Sequence, residues 1–532
     1  LLYKGSNEFI KSALILSAAG FAVKIMSAAY RVPFQNIVGD IGFYIYQQIY
    51  PIYGIAAILA TSGFPVVISK LVAEHKHGNQ KQLIYQLQAA FFTLLFIGIS
   101  LFVVFYFGAN MIADWMGDLL LAPLIKTISF IFLFLPFLSM WRGYFQGEGD
   151  MKPTAVSQVV EQLARVMAIL LLASILVSKG YSLYTAGRGA LAGSLIGASI
   201  GVSLLTYFAA RKKLIKTFFI KGLSLNQMYK TAHTVFLHGT AICVSGMVLV
   251  LFQLIDSLSL YSILTKTGVA VDYAKSLKGV FDRGQPLIQL GAVTAASFSL
   301  VLVPLVTTAW NRKETVFVRE KTQSAVKLTI IIGAGAAVGL ANIIQPTNVM
   351  LFKTATGSTA LSILAMSIFF SSLILVCAGV LQGVGHVFAP MKYILLGFIF
   401  KFVCNYLLIP IIGIKGAALA TIIGLALIAF LLVKKLHEKV TILPVIISTL
   451  PILLLSVGIM TVSLQFWQLI LSFTGYSGRM YNAIVAISSV MIGSLVYVTF
   501  ILRRGLLTEE EMSILPFGSK LGRLMKTRRR KL

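Results

Sequence analysis

Apolar runs long enough to cross a bilayer follow one another along nearly the whole chain, separated by short polar or Gly- and Pro-containing turns. They fall near 9–30, 38–62, 84–108, 119–140, 154–178, 183–210, 232–262, 280–309, 326–352, 358–384, 390–411, 416–433, 441–466 and 481–502. A helix rising 1.5 Å per residue needs roughly 20 such residues to cross about 30 Å of hydrocarbon. The pattern therefore predicts an all-α polytopic membrane protein of about fourteen transmembrane helices. The run near 38–62 is rich in Tyr and Phe.

One stretch occurs twice. From Trp141 the chain reads WRGYFQGEGDMKPTAVSQVVEQLARV, and from Leu381 it reads LQGVGHVFAPMKYILLGFIFKFVCNY. Each copy leaves an apolar run through Gln-Gly (Gln146, Gly147; Gln382, Gly383) and a second Gly, then opens the next helix with Pro153 or Pro390. Proline suits a first helical turn because its missing N–H has no partner there. A lone cation follows inside each span, Arg165 about 18 Å beyond Pro153 and Lys401 about 16 Å beyond Pro390, which places both near the bilayer midplane. Pro65 with Pro304 and Gly189-Ala190 with Gly416-Ala417 recur in the same order. The repeats predict a duplicated six-helix unit: a lobe over 1–216, a cytoplasmic linker over 217–231, a second lobe over 232–440, an appended helix pair over 441–502 and a basic tail over 503–532. An even number of helices makes both lobes enter from one side, with a cleft between them.

At 58% hydrophobic and 12% charged, a chain of 532 residues cannot coat a water-soluble globule. Of its 45 Lys and Arg, about 31 fall in alternate loops and the two ends, about 8 in the opposite loops and 6 within spans. That asymmetry predicts cytoplasmic termini, and it explains the basic excess through anionic lipid, without nucleic acid. The first run reads as a span, not as a cleaved signal. The basic connector 211–231 reads as an interfacial segment.

The six cations within spans are Lys24, Lys126, Arg165, Arg188, Arg283 and Lys401; the acids are Glu161 and Asp256, with Asp282 at a rim and Asp40 at the entrance to the second run. Charges in hydrocarbon are costly, so these side chains must face protein, water or an anion. A surplus of cations suits a phosphate or diphosphate head. Glu161 and Arg165, four apart, share a helix face and read either as a self-neutralising pair or as an anion holder with its positioner. Arg31, beside Pro33, reads as an outer-loop residue. Asp256 reads as a satisfied buried acid or as a coupling group for protons or sodium. Cys243, Cys377 and Cys404 read as small core residues, and His75 and His77 as part of a solvated loop with no metal. No DxD, HExxH or P-loop occurs and no loop is long enough for a nucleotide domain, so neither an enzyme nor a cofactor is expected, and energy must come from an ion gradient, membrane potential or substrate gradient.

The duplicated Gln-Gly, Gly and Pro signature, the early run YRVPFQNIVGDIGFYIYQ and the segment FDRGQPLIQLG together resemble the multidrug/oligosaccharidyl-lipid/polysaccharide exporter superfamily, in its polysaccharide-biosynthesis branch with the stage V sporulation protein B group and the lipid II flippases. The resemblance covers essentially the whole chain. It implies two six-helix lobes in a V that pass an undecaprenyl-diphosphate sugar across a bacterial cytoplasmic membrane by alternating access. Lys24, Asp40 and Arg283 are the nearest equivalents of that group's cavity residues. Lys24 stands where those flippases carry Arg, and Gln48 to Tyr53 offers no match to their helix-two Arg. The expected partners are membrane lipids, the lipid-linked sugar and envelope-synthesis enzymes. Two rivals are a cation-coupled drug antiporter of the same fold and a non-transporting scaffold of envelope synthesis.

Overall fold

The computed structural model describes residues 2–75, 80–214 and 225–514. All its regular elements are helical. They form two compact units, Leu1–Asp282 and Arg283–Leu532. The connector at 217–231, where the sequence placed a boundary, lies mostly outside the described residues, as does the end of the basic tail.

In the first unit the order is α1 (Leu2–Ala29), α2 (Arg31–Ile58), a π-turn (Leu59–Gly63), α3 (Phe64–His75), α4 (Gln80–Phe107), α5 (Ala109–Trp115), α6 (Ala122–Ser129), α7 (Leu135–Gly147), α8 (Met151–Ser178), α9 (Leu183–Arg211), α10 (Leu225–Gly246), α11 (Val248–Lys266) and α12 (Val271–Asp282). In the second it is α13 (Gly284–Leu300), α14 (Val303–Asn311), α15 (Thr315–Phe352), α16 (Ser358–Ala365), α17 (Ser367–Gly383), α18 (Phe388–Ile412), α19 (Ile414–Lys439), α20 (Leu443–Ser472), α21 (Arg479–Arg503) and α22 (Glu509–Ile514).

Among the described residues twelve helical stretches are long and apolar enough to cross a membrane. The difference from fourteen has two sources. The first two apolar runs form one stretch, Ile15–Glu74, of 60 residues. At about 90 Å it is three times the thickness of a hydrocarbon core, so it must turn within itself. It breaks at Gly39, whose φ of 69° is open to glycine and strained for other residues. The run near 280–309 divides into α13 and α14, each too short to span alone.

Close helix contact follows from small residues. A Cβ on Gly193 would lie 2.8 Å from the backbone of Ile169, and one on Gly197 would lie 2.7 Å from Arg165 Cβ, so α9 and α8 meet almost backbone to backbone. The signature turn forms twice with the same bonds. Gly149 N donates to Gln146 O and Asp150 N to Phe145 O; Gly385 N donates to Gln382 O and His386 N to Leu381 O. Gly149 and Gly385 supply the left-handed residue, at φ 81° and 88°.

Candidate functional site: buried cations and a tyrosine cage

Tyr46, Tyr50 and Tyr53 recur at helical spacing on α2 and present one aromatic face. Into it projects Arg165 of α8, 2% exposed. Its guanidinium donates to Tyr30 and Tyr46 hydroxyls at 3.1 and 3.3 Å, to Ser194 Oγ at 3.2 Å and to Gln162 Oε1 at 3.3 Å, and lies 3.8 Å from the Tyr53 ring centre. Among the described residues no carboxylate pairs with it. Ring faces and hydroxyl dipoles stabilise the ion, while its net charge remains. Arg31, fully buried at the start of α2, lies 4.1 Å from the Tyr50 ring centre. It is not a loop residue, because the chain re-enters a helix directly after Tyr30. The Tyr- and Phe-rich second run is thus a helix whose aromatic face receives two arginines.

The expected Glu161–Arg165 pair does not form. Glu161 accepts from Arg142 at 2.6 Å, and Arg142 also donates to Ala60 O at 3.1 Å. Arg142 is fully buried. Gly201 makes room for this acid, since a Cβ there would lie 2.5 Å from Glu161 Oε2. Arg142 stands in the repeat signature, where position alone suggests a loop cation.

A second cluster gathers on Asp118, which caps the 3-10 turn Leu119–Leu121. Asp118 Oδ2 accepts from Tyr44 at 3.2 Å and from Tyr184 at 2.5 Å, and lies 3.5 Å from Lys275 Nζ, which itself donates to Tyr184 at 2.7 Å. One turn along α12, Lys278 pairs with Asp282 at 2.6 Å, both fully buried. Lys275 and Lys278 also fall where the apolar pattern suggests a loop. Asp256 is fully buried on α11, and Asp40 accepts from Gln35 at 2.8 Å beside the Gly39 break. Gly279 of α12 sits against Asp40, where a Cβ would lie 2.2 Å from its carbonyl oxygen.

The remaining spans' cations have different surroundings. Lys24 is exposed on α1, Lys126 is half-buried at 6.0 Å from the Tyr106 ring centre, and Arg188 is exposed and donates to Thr127 Oγ1 at 3.0 Å. In the second unit Arg283 is fully buried, donating to Thr354 Oγ1 at 2.9 Å and Asn348 Oδ1 at 3.3 Å, and Lys401 is fully buried on α18. The run Gly197-Ala198-Ser199-Ile200-Gly201 has GxSxG spacing. It lies inside α9, where Ser199 Oγ donates to Leu195 O at 2.9 Å, and forms no strand-to-helix elbow.

Helices α15, α20 and α21 frame an apolar groove of about 520 Å³, lined by Gly335, Gly339, Leu464, Gly493 and Tyr497. Leu507 and Met512, at the start of and within the segment carrying α22, form part of its wall. That segment is held by Lys327–Glu511 at 2.9 Å and by a Lys321–Glu510 pair. Thr508 and Glu511 also cap each other's backbone N–H.

The pattern of the family described as Polysaccharide biosynthesis protein matches residues 9–310. Over 97% of this chain and 97% of the relative, 41% of residues are identical to the uncharacterized membrane protein YabM of Bacillus subtilis (strain 168). Lipid II flippase MurJ of the same organism is 26% identical, covering 92% of this chain and 94% of the relative. A solved structure of lipid II flippase MurJ in an inward closed conformation superposes at a TM-score of 0.68 and 16% identity, covering 93% of this chain and all of that one. An inward-facing multidrug resistance MATE family transporter gives 0.62 at 14% identity, over 78% and 94%. The likeness to the solved structures fixes the fold, and the chain is a multi-pass membrane protein. It belongs to the polysaccharide biosynthesis protein family, within the multidrug/oligosaccharidyl-lipid/polysaccharide exporter superfamily.

Proposed function

We propose that the protein flips a polyprenyl-diphosphate-linked sugar, lipid II or another envelope precursor, across a bacterial cytoplasmic membrane. Fourteen crossings, two six-helix lobes, cytoplasmic ends and alternating access belong to this reading. The observation that carries it is Arg165: a guanidinium inside a spanning helix, held by tyrosines and an amide, keeps the first unit's interior positive. An anion is the cargo such a field attracts. Lys24 lies six residues before Tyr30, about 9 Å along α1, and is exposed where Arg165 is sealed. Lys24 makes the direct contact with the diphosphate, and Arg165 supplies field from behind it. Neutralisation of that field by the bound head favours closure over it.

In vesicles carrying the purified protein, Lys24→Ala lowers flipping of undecaprenyl-diphosphate sugar by about tenfold, the effect of one lost charge-assisted contact. Unchanged flipping at normal expression defeats the reading. Depletion in cells, followed by identification of the precursor that accumulates on the cytoplasmic side, names the cargo. The antiporter reading gains only from the shared fold. A drug-resistance phenotype abolished by Asp256→Asn would favour it.

A further inference from the structure

Helices α2 and α11 run antiparallel in the first unit, matched at three points. The Tyr44 and Tyr261 rings lie 5.1 Å apart, Gln48 Nε2 donates to Ser257 O at 3.0 Å, and a Cβ on Gly54 would lie 2.9 Å from Val250. The stripe between these points is polar. Gln47, three residues after Tyr44, and Gln253 and Ser257, three and seven after Val250, share it with Gln48, and all four are fully buried. Among the described residues, both ends of Gln47, both ends of Gln253, Gln48 Oε1 and Ser257 Oγ have no hydrogen-bond partner in the protein. Pro51 adds to the set, because it has no N–H to offer the Gln47 carbonyl one turn earlier.

Six orphaned polar atoms in one helix seam are a heavy cost inside a membrane protein, where buried polar groups are as a rule bonded. A permanently closed seam would be apolar or would pair its polar atoms, as the α8–α9 contact does where Arg165 donates to Ser194 Oγ. Amides satisfied in another arrangement explain the composition. Each glutamine offers two donors and an acceptor side by side, the complement of a sugar's hydroxyl and N-acetyl groups.

We propose that the α2–α11 seam parts during the cycle and that Gln47, Gln48, Gln253 and Ser257 then bind the saccharide portion of the cargo by hydrogen bonds. The inference rests on the flippase reading and assigns the sugar-recognising residues within it. The Asp118–Lys275 cluster clasps one end of the seam, since Asp118 holds Tyr44 of α2 and Lys275 lies 6.0 Å from the ring centre of Tyr261 on α11. Its one ion pair and few hydroxyl bonds suit a contact that must break.

Two measurements test this on the full chain in nanodiscs. In a background with Cys243, Cys377 and Cys404 changed to Ala, Ser257→Cys should react with a membrane-impermeant methanethiosulfonate, because a parted seam admits water. Separately, undecaprenyl diphosphate and the same lipid bearing one N-acetylhexosamine are titrated against wild type, Gln47→Leu and Gln253→Met. The sugar should tighten binding to wild type, and each variant should lose about fivefold of that gain while binding the bare diphosphate as before. An unreactive thiol in the Ser257→Cys variant overturns the proposal, whether or not the glutamine variants fold. A reactive thiol there, with the sugar-dependent gain absent or untouched in the glutamine variants, overturns the saccharide assignment and leaves the flippase reading standing. Failure of both lipids to bind wild type removes the flippase reading and this inference with it.

Discussion

Helix α8 of the first unit and helix α18 of the second follow the same turn, and at the repeat's offset of 236 positions around it correspond: Arg142 on α7 with Ala378 on α17, just before the turn, then Glu161 with Gly397 and Arg165 with Lys401. Each helix packs on the one that follows it, and there the sizes are exchanged. Glu161 fits over Gly201 of α9, whereas Gly397 receives Ile428 of α19, whose side chain would lie 2.3 Å from a Cβ at 397. One backbone plan therefore tolerates a charged interlock or an apolar knob, provided that each large residue faces a small one. Charge survives in both copies only at the third position. Glu161 and Arg142 answer each other structurally, and Arg165 and Lys401 are the pair that shape alone does not explain.

The largest break of this comparison comes from Glu161→Gln. It leaves the Arg142 guanidinium buried without its counter-charge and should destabilise the protein by about 3 kcal/mol, read as a fall in the thermal midpoint in detergent. The triple change Arg142→Ala, Glu161→Gly, Gly201→Ile, which copies the second unit's pattern, should recover most of that loss. Next is Gly397→Ala, expected to cost about 2 kcal/mol by overpacking against Ile428, whereas Gly201→Ala, facing the movable end of Glu161, should cost less. If both glycine variants melt alike, the exchange of sizes is not what holds these helices. Arg165→Lys keeps the charge and loses the fork that reaches Tyr30, Tyr46, Ser194 and Gln162 together. Flipping should fall about fivefold with a smaller change in stability, whereas Lys401→Arg should leave transport within about twofold.

The smallest effect belongs to the second copy of the turn. Burial, with Lys439 and Lys435 adding to it, holds the His386 imidazolium below its ordinary value of 6.5. A base whose folded value is depressed contributes stability above its unfolded value and loses it as pH falls. Acidification below about 6 should therefore lower the melting midpoint slightly, and His386→Gln should flatten that part of the profile.

Much of the fold is legible in the sequence because bilayer thickness sets helix length and because Gly and Pro punctuate the turns, so Gln146 and Gln382 announce identical turns. The partnerships are not legible. Spacing puts Glu161 and Arg165 on one face, but four residues along a helix permit a pair without requiring it, and a distant Arg142 reaches the acid first. Arg31, Lys275 and Lys278 stand beside short polar stretches that resemble loops, yet the chain folds them inward. The tyrosines at 46, 50 and 53 carry the signal that points to the arginines, an amphipathic stripe in which aromatic rings take the place of carboxylates. Arg188, by contrast, stands out by its charge and is exposed.

The small C-terminal helix carries a practical lesson. Because Leu507 and Met512 form part of the wall of the groove beside α21, and Glu511 ties their segment to Lys327, the stretch from Leu507 to Met512 is part of the second unit's packing and no mere trailing end. Shortening it, or joining a reporter domain directly after Arg504, would remove part of that wall and the Lys327 tie along with the label.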